Sequence, residues 1–346
     1  MEPRDPPGRH LGVTPTRPLA WLAGVVLLSL AVAGCSSAPH GHHGSRGTIP
    51  PTFATPGAPA LSAQGPTPPA TGAWVGAWVK PVRATPLGRI AAVAQFEQTI
   101  GRPLDLVHVY HPWSQTFPDA ADMAFLQQGK QLMISWAGTS TSAIISGVYD
   151  DMIRTRAESL KALGSPVLLR WRWEMNRPNL QSSIESPAQY VQAWKHIRAI
   201  FSQVGATNVG WVWCPLAGNF TSTNASAYYP GDDQVDWLCT DVYAIGSTKP
   251  FADVATDFMT WAAGHPGKPI IIGEYGSEST DPAAKQSWIE GATSFAKSHP
   301  QIKAMVYFDA LRSESGKQRD FRIDSSSSTL AAYKAMLADP WFRQKH

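Results

Sequence analysis

Eight short runs of apolar and β-branched residues recur from residue 73 onward, each bounded by turn-forming residues, and they have the length of strands. They cover residues 73–79, 106–110, 131–137, 166–173, 208–213, 235–243, 268–276 and 302–310. Between most of them lie segments with helix punctuation, which predict helices near residues 87–100, 118–128, 142–163, 187–204, 251–263, 282–298 and 328–337. Thr85-Pro86, Ser186-Pro187 and Asp281-Pro282 each place an N-cap before a proline at the first helical position. Gly101, Gly129, Gly164 and Gly205 follow as stops, and only the connection 213–235 lacks a helix. Strand and helix alternating eight times predict an α/β chain folded as a single (β/α)8 TIM barrel, whose functional residues belong at the C-terminal strand ends. A doubly wound open sheet is the alternative, disfavoured because no GxGxxG or P-loop follows the first strand.

The pattern ahead of the barrel is different. Arg4, Arg9 and Arg17 precede an apolar run over 19–34, at about 16 residues short of the roughly 20 a membrane-spanning helix needs. Residues 1–34 therefore read as a signal peptide. Small residues, Ala31-Val32-Ala33-Gly34, stand directly before Cys35, and this resembles the bacterial lipobox, which implies lipidation at Cys35. An ordinary cleaved signal with an incidental cysteine is the alternative. On the lipobox reading the protein is exported and held on the extracellular face of the bacterial cell membrane by acyl chains. Residues 35–72 are rich in Pro, Gly and Ser, with Arg46 the only formally charged residue after Cys35, and are expected to form a disordered tether reaching up to roughly 100 Å. Residues 73–346 are expected to form the folded barrel domain.

Composition narrows the function. Of 346 residues, 43% are hydrophobic and 16% charged, enough to bury a sizeable core and to exclude wholesale disorder and a coiled coil. The balance of 29 basic against 26 acidic residues, without a long Lys/Arg cluster, argues against a nucleic-acid partner. No CxxC pair or HExxH is present, so neither a metal nor another cofactor is expected. Cys214 and Cys239 fall on neighbouring strands, where a disulfide is geometrically possible; two buried free thiols are the expected state. The sequence does not speak to the oligomeric state.

Glu174 follows the fourth strand in RWRWEMN, and Glu274 ends the apolar core of the seventh in PIIIGEYG. In a barrel both reach one mouth. Glycosidic cleavage needs such a pair: one carboxyl protonates the leaving oxygen and the other attacks the anomeric carbon. Either residue alone could instead be a rim carboxylate in an ion pair.

Together with WVWCP, YYPGDDQVDWLCTDVY and IKAMVYFD, these segments resemble glycoside hydrolase family 26, retaining (β/α)8 enzymes best known as endo-β-1,4-mannanases, over residues 74–341. The resemblance implies Glu174 as acid/base and Glu274 as nucleophile, Arg170 supporting the carboxylates and Tyr243 bonding the nucleophile. It also implies a polysaccharide substrate, most simply β-1,4-mannan. Where the family usually carries His before the acid/base, this chain has Trp173, which offers one N–H donor and a broad face, so the sugar stays open.

Trp113, Trp136 and Trp213 lie at or just past strand ends, where they are expected to stack on sugar rings if they are not core residues. His111 with His108, Asn176 and Asp241 complete the candidate substrate-binding set. Three other functions fit the same leader: a hydrolase or transglycosylase of mixed-linkage glucan or β-1,3-xylan, a non-catalytic glycan-binding lipoprotein, and a two-lobed solute-binding lipoprotein. Retention of both glutamates with Arg170 and Tyr243 disfavours the glycan binder, and the eight regular βα units show no division into the two lobes that a solute binder needs.

Overall fold

A computed structural model describes residues 65–246, 249–314 and 316–342. Its strands are β1 (Trp74–Val79), β2 (Leu106–His111), β3 (Gln131–Trp136), β4 (Val167–Trp171), β5 (Val209–Trp213), β6 (Trp237–Ala244), β7 (Ile270–Ser277) and β8 (Ile302–Asp309). All pair in parallel in chain order, and β1 pairs with β8 to close the barrel. The (β/α)8 expectation holds.

The helices are α1 (Pro86–Ile100), α2 (Ala120–Gln127), α3 (Thr141–Ile145), α4 (Asp150–Leu163), α5 (Gln181–Ile184), α6 (Pro187–Val204), α7 (Phe251–Ala262), α8 (Pro282–Ser298) and α9 (Ser327–Ala338). Thr85, Ser186 and Asp281 accept from the first-turn amides of α1, α6 and α8, as the Pro-preceded caps predict. The helix expected over 142–163 is two helices. Gly147 sits between them at φ +83°, a left-handed conformation that ends one helix and redirects the chain. The connection after β5 holds only short 3-10 turns at Ala217–Asn219 and Ala225–Tyr228. A two-stranded hairpin, β9 (Leu311–Glu314) with β10 (Lys317–Asp320), follows β8 and has no counterpart among the sequence expectations.

Strand alternation sorts side chains into two cores. Leu106, Met133, Leu168, Val212, Ile271 and Val306 form the cluster inside the barrel. Their alternate neighbours, such as Val107, Ile134, Leu169 and Ile272, belong to the larger cluster shared with the helices.

The same register brings Cys214 opposite Cys239, because Val212 pairs with Trp237 and Trp213 with Leu238. The two cysteines form a disulfide across a Cα–Cα distance of 4.3 Å, which corrects the expectation of free thiols. Parallel alignment turns both side chains to the barrel interior, where they meet.

The signal peptide, Cys35 and the tether up to residue 64 lie outside the described residues. Of the remaining tether stretch, Pro66 is buried, Gly65 and Pro66 pack on the backbone of Gly210, and Lys303 Nζ donates to the Ala70 carbonyl at 3.3 Å. Among the described residues no helix is long and apolar enough to cross a membrane.

Candidate active site

Glu274 is placed by a strand that departs from regular pairing. The register shifts between Thr240 and Asp241 on β6, and again along β7 between Ile272 and Tyr275 on its β8 side, and bulges of this kind re-aim a side chain. Gly273, just before it, has no room for a side chain: a Cβ there would lie 2.4 Å from Cys239 Sγ and 2.9 Å from Arg170 Nη1. Glycine lets the buried guanidinium press against the β7 backbone.

Three donors converge on the Glu274 carboxylate. Tyr110 donates to Oε1 at 2.5 Å and Tyr243 to Oε2 at 2.5 Å, while Arg170 Nη2 donates to Oε1. Burial, and next the charge of Glu274, push both phenols well above the usual tyrosine range, so both stay protonated donors. Arg170, fully buried, donates through Nη1 to both oxygens of Asp241 at 2.8 and 3.0 Å and through Nε to Ser135 Oγ at 2.6 Å. Its Nη2 also lies 3.1 Å from His108 Nε2. Because arginine only donates, that ring nitrogen accepts, and His108 is neutral, its pKa driven down by burial and by Arg170.

Glu174 stands across from this cluster. Arg172 and Glu174 both adopt left-handed backbone, φ 48° and 51°, which costs about 1–3 kcal/mol each and is held by bonds from Arg172 N to Trp136 O (3.0 Å) and from Glu174 N to Cys214 O (2.7 Å). The strained turn lifts Glu174 off the strand line and over the mouth. Burial raises its pKa, the nearby Glu274 charge raises it further, and Arg177, donating to Oε2 at 2.7 Å, opposes both. One oxygen each of Glu174, Asp241 and Glu274 lie within 4.8 Å of one another. A cation in that gap would meet the fixed charge of Arg170, so this trio is poorly suited to a metal.

A cleft of about 720 Å³ opens over the two glutamates, with Trp173, Trp78, Tyr110, Phe308 and Phe321 among its walls. Trp173 covers Arg170, whose guanidinium carbon lies 5.2 Å from the indole centre, and packs on Tyr110 at 5.0 Å. Of the tryptophans expected to meet sugar, Trp173 alone lines this cleft.

The others are corrected by strand parity. Trp136 and Trp213 follow inward-facing Ser135 and Val212, so both turn outward and are fully buried beneath helices and loops, their indole N–H groups donating to Trp113 O and Tyr228 O. Trp113 stacks on Trp136 with centres 4.4 Å apart. Trp171 likewise faces outward onto Tyr190 of α6. His111 borders the cleft, yet its buried imidazole lies 2.8 Å from Asp122 of α2. Asn176 is buried and pins the loop after β5 through Leu216 N, Leu216 O and Thr223 Oγ1. Asp241 is fully buried beneath Arg170 and reaches no ligand surface. Tyr110 was missed. The signal was available, because alternation along β2 points His108 and Tyr110 inward together and sends His111 out.

Residues 126–263 match the family model described as Glycosyl hydrolase family 26. Over that span the barrel is similar to that family. Endoglucanase H of Acetivibrio thermocellus is 33% identical over 285 residues, covering 76% of this chain and 30% of that protein. A β-1,3-xylanase of a Vibrio species is 29% identical over 174 residues, covering 46% of this chain and 34% of that protein. The chain thus spans about a third of the length of these curated relatives. Among solved structures, a β-mannanase from a symbiotic protist of the termite Reticulitermes speratus superposes with a TM-score of 0.56 at 15% identity, covering 82% of this chain and 96% of that one. A family 26 β-mannanase from Bacteroides ovatus gives 0.59 at 15% identity, with 79% and 90% covered. At that identity the two structures speak for the fold alone.

Proposed function

We propose that this protein is a retaining endo-β-glycosidase that cleaves a β-linked polysaccharide by double displacement. The convergence of Glu174 and Glu274 carries the reading: their nearest oxygens lie within 4.8 Å, which suits a pair separated by about 5 to 5.5 Å and leaves no room for the water an inverting pair needs. The environments divide the labour. Glu274 accepts from three donors that stabilise its negative charge and fix its direction of attack. Glu174, desolvated and raised in pKa, holds the proton.

In the first step Glu174 protonates the glycosidic oxygen while Glu274 attacks the anomeric carbon; the C–O bond breaks and a glycosyl ester forms on Glu274. In the second, ionised Glu174 takes a proton from a water that attacks the same carbon, which frees Glu274 and returns the proton to Glu174. The sequence resemblance favours β-1,4-mannan. The names of the curated relatives set β-glucan and β-1,3-xylan beside it. The test is product release from β-mannan, glucomannan, mixed-linkage β-glucan and β-1,3-xylan, with Glu274→Ala as the blank. Silence on all four polymers despite intact binding would favour a glycan-binding protein.

The acid role makes its own prediction. Because activity needs protonated Glu174, kcat/KM should fall as pH rises through its raised pKa. Glu174→Ala should lose about 10²- to 10⁴-fold on a polysaccharide, with far less lost on an aryl glycoside whose phenolate leaves without a proton. An equal loss on both substrates would remove the acid assignment.

We also propose export and lipid anchoring at Cys35, supported by the small residues that precede it and by the Pro-rich stretch that follows. Cys35→Ser should release the protein from the membrane fraction or block its processing. Unchanged fractionation would end the lipobox reading.

A further inference from the structure

The hairpin after β8 brings an unusual pairing to the cleft. Arg312 on β9 stands directly opposite Arg319 on β10, and both line the cleft. Like charges directly opposed across strands cost stability, so their persistence on a wall facing a ligand space needs a counter-charge. Arg319 has one, donating to Glu278 Oε2 at 2.7 Å. Arg312 is exposed, and among the described residues no carboxylate lies within ion-pair distance of it. Its guanidinium carbon rests 5.7 Å from the centre of the Phe308 ring.

Around it the wall is aromatic. Phe308 stacks on Trp78 at 4.6 Å, and Phe321 meets both Phe308 and Tyr243 edge-on at 5.7 and 5.5 Å. Such a surface offers a sugar its flat face and little else. The other cations facing the cluster are already committed: Arg170 to Asp241 and Glu274, and Arg177 to Glu174. Among the described residues Arg312 is therefore the cation on this wall that has no ion-pair partner, its guanidinium set over the Phe308 ring.

We propose that the cleft selects a β-glycan bearing a carboxylate, a uronic acid residue in or on the backbone, and that Arg312 reads this group through paired N–H donors while Trp78, backed by Phe308, supports the sugar face. A guanidinium fork matches a carboxylate in geometry as well as charge, which a neutral hydroxyl does not. The proposal deepens the glycosidase reading, yet its binding half stands without turnover.

The test uses xylo- and gluco-oligosaccharides carrying glucuronic acid, each alongside its carboxyl-reduced counterpart, which is the same sugar without the charge. Calorimetric binding and kcat/KM are both measured on the full folded body. The expected ratio of acidic to reduced ligand is about tenfold, equivalent to ~1.4 kcal/mol, falling with added salt. Arg312→Ala should bring the ratio close to one, and Arg312→Lys, which keeps the charge without the fork, should restore only part of it. A ratio near one in the unmodified protein on both backbones, or a ratio that survives Arg312→Ala, overturns the inference, as does failure to bind any of the four ligands. Preferential binding without turnover would leave the inference standing and count against the glycosidase reading.

Discussion

Glu274→Ala is expected to abolish turnover by about four orders of magnitude or more, ~5.4 kcal/mol of barrier, because no other group can form the glycosyl ester. Glu174 cannot substitute: it stands on the other side of the cleavage site and is needed there as the acid. Two phenols and a guanidinium would then face an empty position. An added small anion such as azide should restore part of the activity and yield a glycosyl azide of inverted configuration, because it attacks directly where the carboxylate had stood. Product NMR on an activated aryl glycoside checks this. Full activity in the variant would place the nucleophile elsewhere, and rescue with retained configuration would mean that a glycosyl-enzyme still forms on another residue, so that Glu274 is not the nucleophile.

The second large effect falls on stability. Arg170→Ala removes the cation that, alone among the described residues, is ion-paired to both Asp241 and Glu274, at a point where arginine and Asp241 have no exposure to solvent. Removing one partner of a buried pair leaves an uncompensated charge, which costs about 3–5 kcal/mol. For a domain of this size that is roughly 10 °C of melting temperature. The neighbours add to it: Ser135 Oγ loses its donor, and Gly273 faces the vacated space. Arg170→Lys should recover part of the loss, because it keeps the charge while giving up the fork that spans Asp241, Ser135 and Glu274. Denaturant unfolding measures both variants. A change below 1 kcal/mol for Arg170→Ala would mean that Asp241 takes up a proton at little cost.

The barrel was legible because local rules agree with one another. Every strand expected from apolar runs is present to within a few residues, and three N-caps sit where a capping residue precedes proline. The misses are of a different kind. The single helix over 142–163 is interrupted at Gly147, since a glycine inside an otherwise helical stretch shows neither whether the chain bends nor where. The hairpin at 311–320 escaped because its residues are polar and charged, and its pairing satisfies backbone groups without an apolar face to announce it. At the site, Trp136 and Trp213 illustrate a subtler error. Position near a strand end was read as access to the mouth, whereas one residue of parity sends a side chain to the opposite face.

The sequence by itself determined the alternation of strands and helices, and the placement of Glu174 just after strand four and of Glu274 at the end of the apolar core of strand seven. These follow from residue order and periodicity, which are local along the chain. Only the tertiary structure decided that Tyr110 joins Tyr243 on Glu274, that Asp241 lies beneath Arg170 away from the cleft, that Cys214 and Cys239 are joined, and that Arg312, with no ion-pair partner among the described residues, stands above the Phe308 ring. Each depends on inter-strand register and on which face a side chain takes, and closing an eight-stranded barrel sets both for all strands at once.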